Sequence, residues 1–419
     1  MRAFLAIFTV IFLSMSAIRQ SADAVELVLY CNPTQLGPLA ETVADWEKET
    51  GNTVLFRAAH ESSSEALAFY QGILDDQSQD VDIFNIDSVW PTILSDHLVD
   101  LRVFMDGLEK QHIQGAVDSY TVNDRLVAMP LFVDVGVMYY RKDLLDKYNL
   151  SIPFTWNRLI ECANKVVVAE RANGNADIWG LVFQGKPYEG LTCCALEWLV
   201  ANEAGTLVDA DGVVTINNPG AVQTLAGIAE WIGSLAPRET LAFAEEESRE
   251  MFRDGMAVFM RNWPYAWPYL QEEGSRVRGQ VGVMPVPKGS PNGNSPGVMG
   301  GWGLAVSKYS RHREAAASLV FYLTGPVGQK KFCLLDNHIP SLLSLFYDPD
   351  VRKQVPMAVM EFFTAAVQRP TRQTGKQYDV VSREFFTSVH NILSGQAQAE
   401  TELGQLEKTL NKLGRNGWK

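Results

Sequence analysis

A chain of 419 residues, 47% hydrophobic and 20% charged, has ordinary globular composition and length for two to three domains, or two large lobes. A formal net charge of −13 with no long basic block argues against nucleic acid or an anionic membrane surface as a partner. Scattered histidines and cysteines without a C-x-x-C or zinc-ligand spacing argue against a metal site or a His-dependent nucleophile, and no cofactor is expected.

The N-terminus carries Arg2, an apolar and small run from Ala3 to Leu13, and Ala22-Asp23-Ala24. That is a charged n-region, an h-region and an A-x-A site, which predicts a signal peptide, residues 1–24, cleaved after Ala24. The run is too short for a membrane span of about 20 residues, and no later stretch offers 18 apolar residues in a row, so the mature protein is expected to be exported and soluble. Its charge would be −14, after loss of Arg2, Arg19 and Asp23. Cys31 follows Leu27-Val-Leu-Tyr30 within an apparent strand, which argues against a lipid-modified N-terminal cysteine. With five cysteines in an oxidising compartment, at least one thiol stays unpaired. A bond between adjacent Cys193 and Cys194 would be strained, so one of them is expected to pair at a distance, for example with Cys333. Spacing alone fixes no connectivity among Cys31, Cys162, Cys193, Cys194 and Cys333.

The mature chain opens with a strand, Val25 to Tyr30, and a helix from about Leu36 to Thr50, where Leu39, Val43 and Trp46 recur at helical spacing and Gly51 stops it. Thr53 to Phe56 is a second strand. Ser62-Ser-Ser-Glu65 reads as a capping box opening a helix through Leu67, Tyr70 and Leu74. Val81 to Ile86 is a third strand, with Asp87-Ser-Val-Trp90-Pro91 at its carboxyl end. This β-α-β-α-β order predicts a parallel sheet with helices on both faces.

Leu126 to Pro130 and Val135 to Tyr140 read as strands bracketing Leu131-Phe-Val-Asp134. A helix starts near Lys142, and Thr155 caps another. The alternation then resumes with strand Trp179 to Phe183, helix Leu191 to Asn202, a hairpin near Asp209 to Ile216, helix Pro219 to Ile232 and helix Glu246 to Arg253. Gln280 to Met284 and Trp302 to Val306 are strands separated by a loop rich in Pro, Gly, Ser and Asn. After Tyr309 the pattern is mostly helical, broken at Pro340 and Pro370.

The stretch Val258-Phe-Met-Arg-Asn-Trp-Pro-Tyr-Ala-Trp-Pro-Tyr269 is the most unusual. Its apolar start reads as a buried strand, and Pro264 and Pro268 stop it from continuing as one. The rings that follow then sit at the rim of a sheet, where open α/β folds hold their ligands. Aromatics equally fill cores, so no one ring decides the matter.

Several catalytic motifs fail on inspection. Gly180-Leu-Val-Phe-Gln-Gly-Lys-Pro187 has phosphate-loop spacing, but Pro187 stands where the magnesium-binding hydroxyl belongs and removes an amide donor. Gly300-Gly-Trp-Gly303 precedes a strand instead of following one, and neither G-x-S-x-G nor H-E-x-x-H occurs. Asp87, Asp134 and Glu189 remain: as paired carboxylates they fit a secreted glycosidase, and as plain acceptors they fit a sugar-binding site. Aromatics at strand ends (Trp90, Phe132, Trp263, Tyr265, Trp302), short acids and Arg369-Pro370 suit a sugar, whose apolar faces stack and whose hydroxyls take charge-assisted bonds.

In order along the chain, Asp82-Ile-Phe-Asn-Ile-Asp87-Ser-Val-Trp90, Leu131-Phe-Val-Asp134 with Tyr139-Tyr-Arg-Lys-Asp-Leu-Leu145, Gln184-Gly-Lys-Pro-Tyr188-Glu-Gly-Leu191, Arg261-Asn-Trp-Pro-Tyr265-Ala-Trp267, Gly300-Gly-Trp302 and Arg369-Pro370 resemble the extracellular solute-binding proteins of ABC sugar importers, and within them the trehalose/maltose-binding branch. The resemblance covers essentially the whole mature chain. It implies an α/β, two-lobed periplasmic-binding-protein fold, maltose-binding-protein-like, with each lobe a β-sheet flanked by helices and a hinge between. The lobes would comprise 25–134 plus about 285–338, and about 135–284 plus 339–419. It implies a monomer in the periplasm, no enzyme activity, and a disaccharide or small oligosaccharide (a trehalose-, maltose- or sucrose-type α-glucoside) delivered to the permease subunits of the inner membrane. By motif, Asp87 and Asp134 would accept sugar hydroxyls and Arg369 donate to them. Trp263, Tyr265 and Trp302 would stack or line the pocket, and Gly300 and Gly301 would let backbone approach the sugar. Glu65 and Tyr188 would join them, while Trp267 and Tyr269 would pack behind.

Overall fold

A computed structural model describes residues 24–60, 62–354, 359, 362–363 and 366–418. The expected signal peptide, Ala24 apart, lies outside these residues. Among them, no helix is long and apolar enough to cross a membrane.

Two sheets organise the chain. The first combines β1 (Glu26–Cys31), β2 (Thr53–Ala58), β3 (Ile83–Asp87), β6 (Met129–Val135) and β11 (Met299–Val306) in the order β2-β1-β3-β11-β6. As β-α-β-α-β predicts, β2, β1 and β3 run parallel, while β11 lies antiparallel between β3 and β6. A ribbon of β4 (Thr121–Val122) and β5 (Arg125–Leu126) stands apart. The second sheet has the order β10-β7-β9-β8, from β7 (Val137–Arg141), β8 (Trp179–Val182), β9 (Ala257–Asn262) and β10 (Val281–Pro285).

Helices cover each sheet for the reason their sequences state. In Leu36–Thr50, Leu39, Val43 and Trp46 are buried on one face, and Gly51 ends the helix in the left-handed region at φ 77°. Each such apolar side chain stabilises its lobe by roughly 1.5–3 kcal/mol. In Glu189–Ala201 burial extends nearly all round, since this helix is also packed by Tyr378–Leu393. Each sheet thus has its own large apolar core, and a smaller cluster around Val133, Val135, Val137, Tyr139 and Ile339 joins them.

The chain passes between the sheets at Gly136, between β10 and β11, and again ahead of Arg369, and these segments lie side by side. Gly136 N–H donates to Val298 O at 3.0 Å, and Met299 N–H donates to Val367 O at 2.9 Å. Strand-to-strand passages of this kind allow rotation of one lobe on the other, unlike a single loose linker.

Four expectations need correction. Leu131 to Asp134 continue β6 instead of being bracketed by strands, because all are buried and paired with β11. Likewise β11 begins at Met299, so Gly300 and Gly301 are strand residues. Ser62 caps its helix without a side-chain bond, and Glu65 lies 3.8 Å from His60 instead of closing a capping box. No disulfide forms: all five cysteines are free and buried. Cys193 and Cys194 sit in the core of the second lobe and Cys333 in the joining cluster, each packed as a small apolar group. Burial pushes the thiols of Cys31, Cys194 and Cys333 up to about 12.

Candidate functional site

The strand register assembles one side of the site. Trp302 of β11 lies opposite Asp87 of β3, and Gly300 lies opposite Asp134 of β6. Both acids therefore stand on strands that flank β11, at the end of the sheet nearest the crossings. β9 brings Trp263 and Tyr265 from the other sheet. The chain after Asn262 turns at Pro264 and forms the short helix Ala266–Gln271. Tyr139 fixes that turn, its hydroxyl donating to Trp263 O at 2.8 Å and Pro264 O at 3.1 Å.

Arg369 spans the lobes. Its Nη2 donates to Asp87 Oδ1 at 3.1 Å and Ser88 Oγ at 3.0 Å, and its Nη1 donates to Glu189 Oε1 at 2.9 Å. Glu189 opens the helix Glu189–Ala201 and also accepts from Tyr378 Oη at 2.5 Å and Ser382 Oγ at 2.6 Å. Burial raises its carboxyl above the ordinary range, with Arg369 opposing. Arg369 is only 5% exposed, yet its buried Nε has no partner among the described residues. Nε thus stands as a spare donor beside nitrogens that bridge the lobes.

Among the described residues, no arginine is hydrogen-bonded to Asp134. Its Oδ1 is buried without a hydrogen bond among the described residues, and burial pushes the carboxyl up to about 7, with His338 and Arg261 opposing. His338, which follows the helix Pro326–Asp336, packs its ring 3.9 Å from that of Phe132 and nearly parallel to that of Tyr265 at 5.8 Å. Asp336 Oδ2 lies 3.0 Å from His338 Nδ1.

The aromatic walls are held from behind. Trp263 Nε1 donates to Glu245 Oε1 at 3.1 Å, and Tyr188 Oη donates to Glu245 Oε2 at 2.5 Å. Tyr265 Oη donates to Glu246 Oε1 at 2.6 Å. Trp302 meets Trp90 edge to face at 5.1 Å. The missing side chain of Gly300 makes room for the indole, since a Cβ there would lie 3.2 Å from Trp263 Cζ3. Gly301, at φ 136°, makes room instead for the neighbouring strand, since a Cβ there would lie 2.6 Å from Phe132 O.

Between the lobes a cavity of about 330 Å³ is lined by Ser63, Glu65 and Trp90 on one side and by Glu189, Tyr378 and Arg383 on the other. Glu65 stands at its rim, exposed and outside the Arg369 network. Asp87, Glu189 and Arg369 thus gather as one group, with Trp302 beside Asp87 and Trp90, and Asp134, Trp263, Tyr265 and Gly300 as a second, with Tyr188 joined through Glu245. Glu245, Glu246, His338 and Tyr378 were not anticipated. Glu245 and Glu246 belong to an acidic run that reads as a solvated helix start. His338 and Tyr378 reach the site only through tertiary packing. Flat rings beside carboxylates and a guanidinium can bind a polyhydroxylated molecule by its faces and edges. No group of three or more His, Cys, Asp or Glu among the described residues is arranged to hold a metal ion.

Comparison with known proteins finds that residues 32–330 match the family described as bacterial extracellular solute-binding protein. A probable ABC transporter-binding protein of Deinococcus radiodurans is 41% identical over 96% of this chain and 97% of its own. A probable amino-acid ABC transporter periplasmic-binding protein of Sinorhizobium fredii is 24% identical over 80% and 77%. Among solved structures, maltose-bound MalE3 of T. maritima aligns over 93% of this chain and 100% of that one, with 33% identity and a TM-score of 0.87.

Proposed function

The chain belongs to the bacterial extracellular solute-binding proteins, and on that premise we propose that it captures a disaccharide or small oligosaccharide in the cleft between its lobes. Its fold is that of the two-lobed maltose-binding proteins, and it is a substrate-binding component of an ABC transporter of the sugar-binding family, not an enzyme. The finer reading is a trehalose-, maltose- or sucrose-type α-glucoside, bound by a periplasmic monomer freed of residues 1–24 and delivered to the inner-membrane permease.

The observation that carries this reading is the buried carboxyl oxygen of Asp134, without a hydrogen bond among the described residues, beside Trp263, Tyr265 and Gly300. A buried acceptor without a donor is costly, and a sugar hydroxyl supplies one. The spare Nε of Arg369 offers the complementary donor. The glycosidase alternative loses its basis, since Asp87 and Glu189 are both tied to Arg369 and the relatives are binding proteins. A maltose-bound relative at 33% identity supports the choice of sugar.

Micromolar affinity requires about −8 kcal/mol, so several rings and both acids must contribute. A thermal-shift screen of the mature protein over disaccharides, maltooligosaccharides and amino acids tests the reading. A bound sugar at 100 times its Kd adds about 2.7 kcal/mol and raises the melting temperature. A shift with amino acids and none with sugars overturns it.

A further inference from the structure

Beneath Trp263 lies a second ion pair that the site does not use directly. Arg261 and Glu197 are 2% and 1% exposed. Arg261 Nε donates to Glu197 Oε2 at 2.9 Å and Nη2 to Glu197 Oε1 at 2.5 Å, while Nη1 donates to Gln184 Oε1 at 3.1 Å. Gln184 is itself fixed, its amide donating to Ser248 Oγ at 2.8 Å and Arg261 O at 3.0 Å. The guanidinium is therefore held in one plane, and that plane carries the indole: Arg261 Cζ lies 4.2 Å from the Trp263 ring centroid.

The other end of the pair rests on the crossings between lobes. Glu197 Oε1 accepts the Val298 N–H at 3.1 Å. A Cβ on Gly136 would fall 1.8 Å from Glu197 Oε1 and 2.6 Å from Arg261 Nη2, so the pair occupies the space a side chain at that crossing would need. A Cβ on Gly297 would fall 2.6 Å from Gly136 O, so the two crossings are themselves pressed together over the pair.

We propose that Arg261 and Glu197 are positioning residues for the ligand-stacking Trp263, fixing its plane by cation–π contact and fastening it to the Gly136 and Val298 crossings. The inference rests on the sugar-cleft reading for its effect on affinity, but the positioning itself exists without ligand. A guanidinium suits this task because it is planar and forks onto a carboxylate while its face stacks on an aromatic ring. A lysine ammonium supplies the charge without the plane.

The test is a cycle of four proteins: wild type, Arg261→Lys, Trp263→Ala and the double variant, each titrated with the sugar that the thermal screen selects. Arg261→Lys is expected to weaken binding about tenfold when Trp263 is present and less than about twofold when it is absent. Near-UV circular dichroism of ligand-free protein supplies the second arm, as the difference between wild type and Trp263→Phe. That difference is expected to collapse when repeated in the Arg261→Lys background. Should Arg261→Lys not fold, Glu197→Gln replaces it in both arms with the same expectations, because it loosens the fork and keeps the guanidinium. Equal losses of affinity with and without Trp263, or an unchanged near-UV difference, overturn the proposal. If wild type binds no sugar, the cleft reading fails while the near-UV arm still decides the positioning.

Discussion

Two buried arginines, Arg261 and Arg369, use the same chemistry for different ends. Arg261 lies within one lobe with every guanidinium nitrogen bonded. Arg369 joins the lobes, from Asp87 on one to Glu189 on the other, beside the cavity and with its Nε unpaired among the described residues. A sealed pair fixes geometry. A bridge with a spare donor can exchange protein contacts for ligand contacts, and it counts differently in the open and closed forms.

Removing each arginine separates the two roles. Arg261→Ala leaves Glu197 buried and uncompensated, so a loss of about 3–5 kcal/mol is expected, read as a large fall in the denaturant midpoint. Arg369→Ala should cost less, about 1–3 kcal/mol, because opening of the lobes lets water reach Asp87 and Glu189. Its main effect should be on sugar affinity. Equal stability losses from the two variants, with affinity untouched by Arg369→Ala, would show that both pairs are structural.

Asp134 shows what the same burial does without an arginine. Its carboxyl, pushed up to about 7, holds a proton in the native state that an ordinary unfolded carboxylate, near 3.9, has released. Between those values the native state binds more protons than the unfolded one, so this contribution to stability is full below about pH 4 and declines as pH rises to about 7. From pH 6 to pH 8 the loss is on the order of 1 kcal/mol. Asp134→Asn should remove that loss, leaving the variant's stability flatter than wild type across the interval in pH-dependent denaturant titrations. Parallel curves would mean that the acid is solvated in both states.

How legible all this was from sequence divides along the range of the interactions. The helix Leu36–Thr50 and the strands β1 to β3 follow from apolar periodicity and Gly51, which are local signals. Asp87 is readable as a strand-end acid, and Trp263 and Tyr265 as rings beyond a strand that a proline ends. The partners are not readable. Glu245 serves Trp263 from 18 positions upstream, within a run of three glutamates that looks like the capped start of an exposed helix. His338 and Tyr378 lie in segments whose patterns describe only packing. The Cys193 pairing failed because a helix buried nearly all round takes small thiols as core, a use that cysteine count does not distinguish from bonding.

The smallest expected effect tests the division of the aromatic stretch itself. Trp263 stands between Arg261 and Gly300 and donates to Glu245, whereas Tyr269 stacks on Arg249 at 4.1 Å on the short helix that follows. Truncating Trp263 removes a stacking surface worth about 0.5–1.5 kcal/mol beyond its buried area, and also uncovers the plane of Arg261. Truncating Tyr269 removes a contact with an arginine whose charge is already balanced by Glu246 and Glu250. Trp263→Ala should therefore weaken sugar binding at least about tenfold in calorimetric titration, while Tyr269→Ala changes it less than about twofold. Equal losses would place the pocket wall along the whole helix Ala266–Gln271, and the cleft would then extend past the ring that β9 delivers.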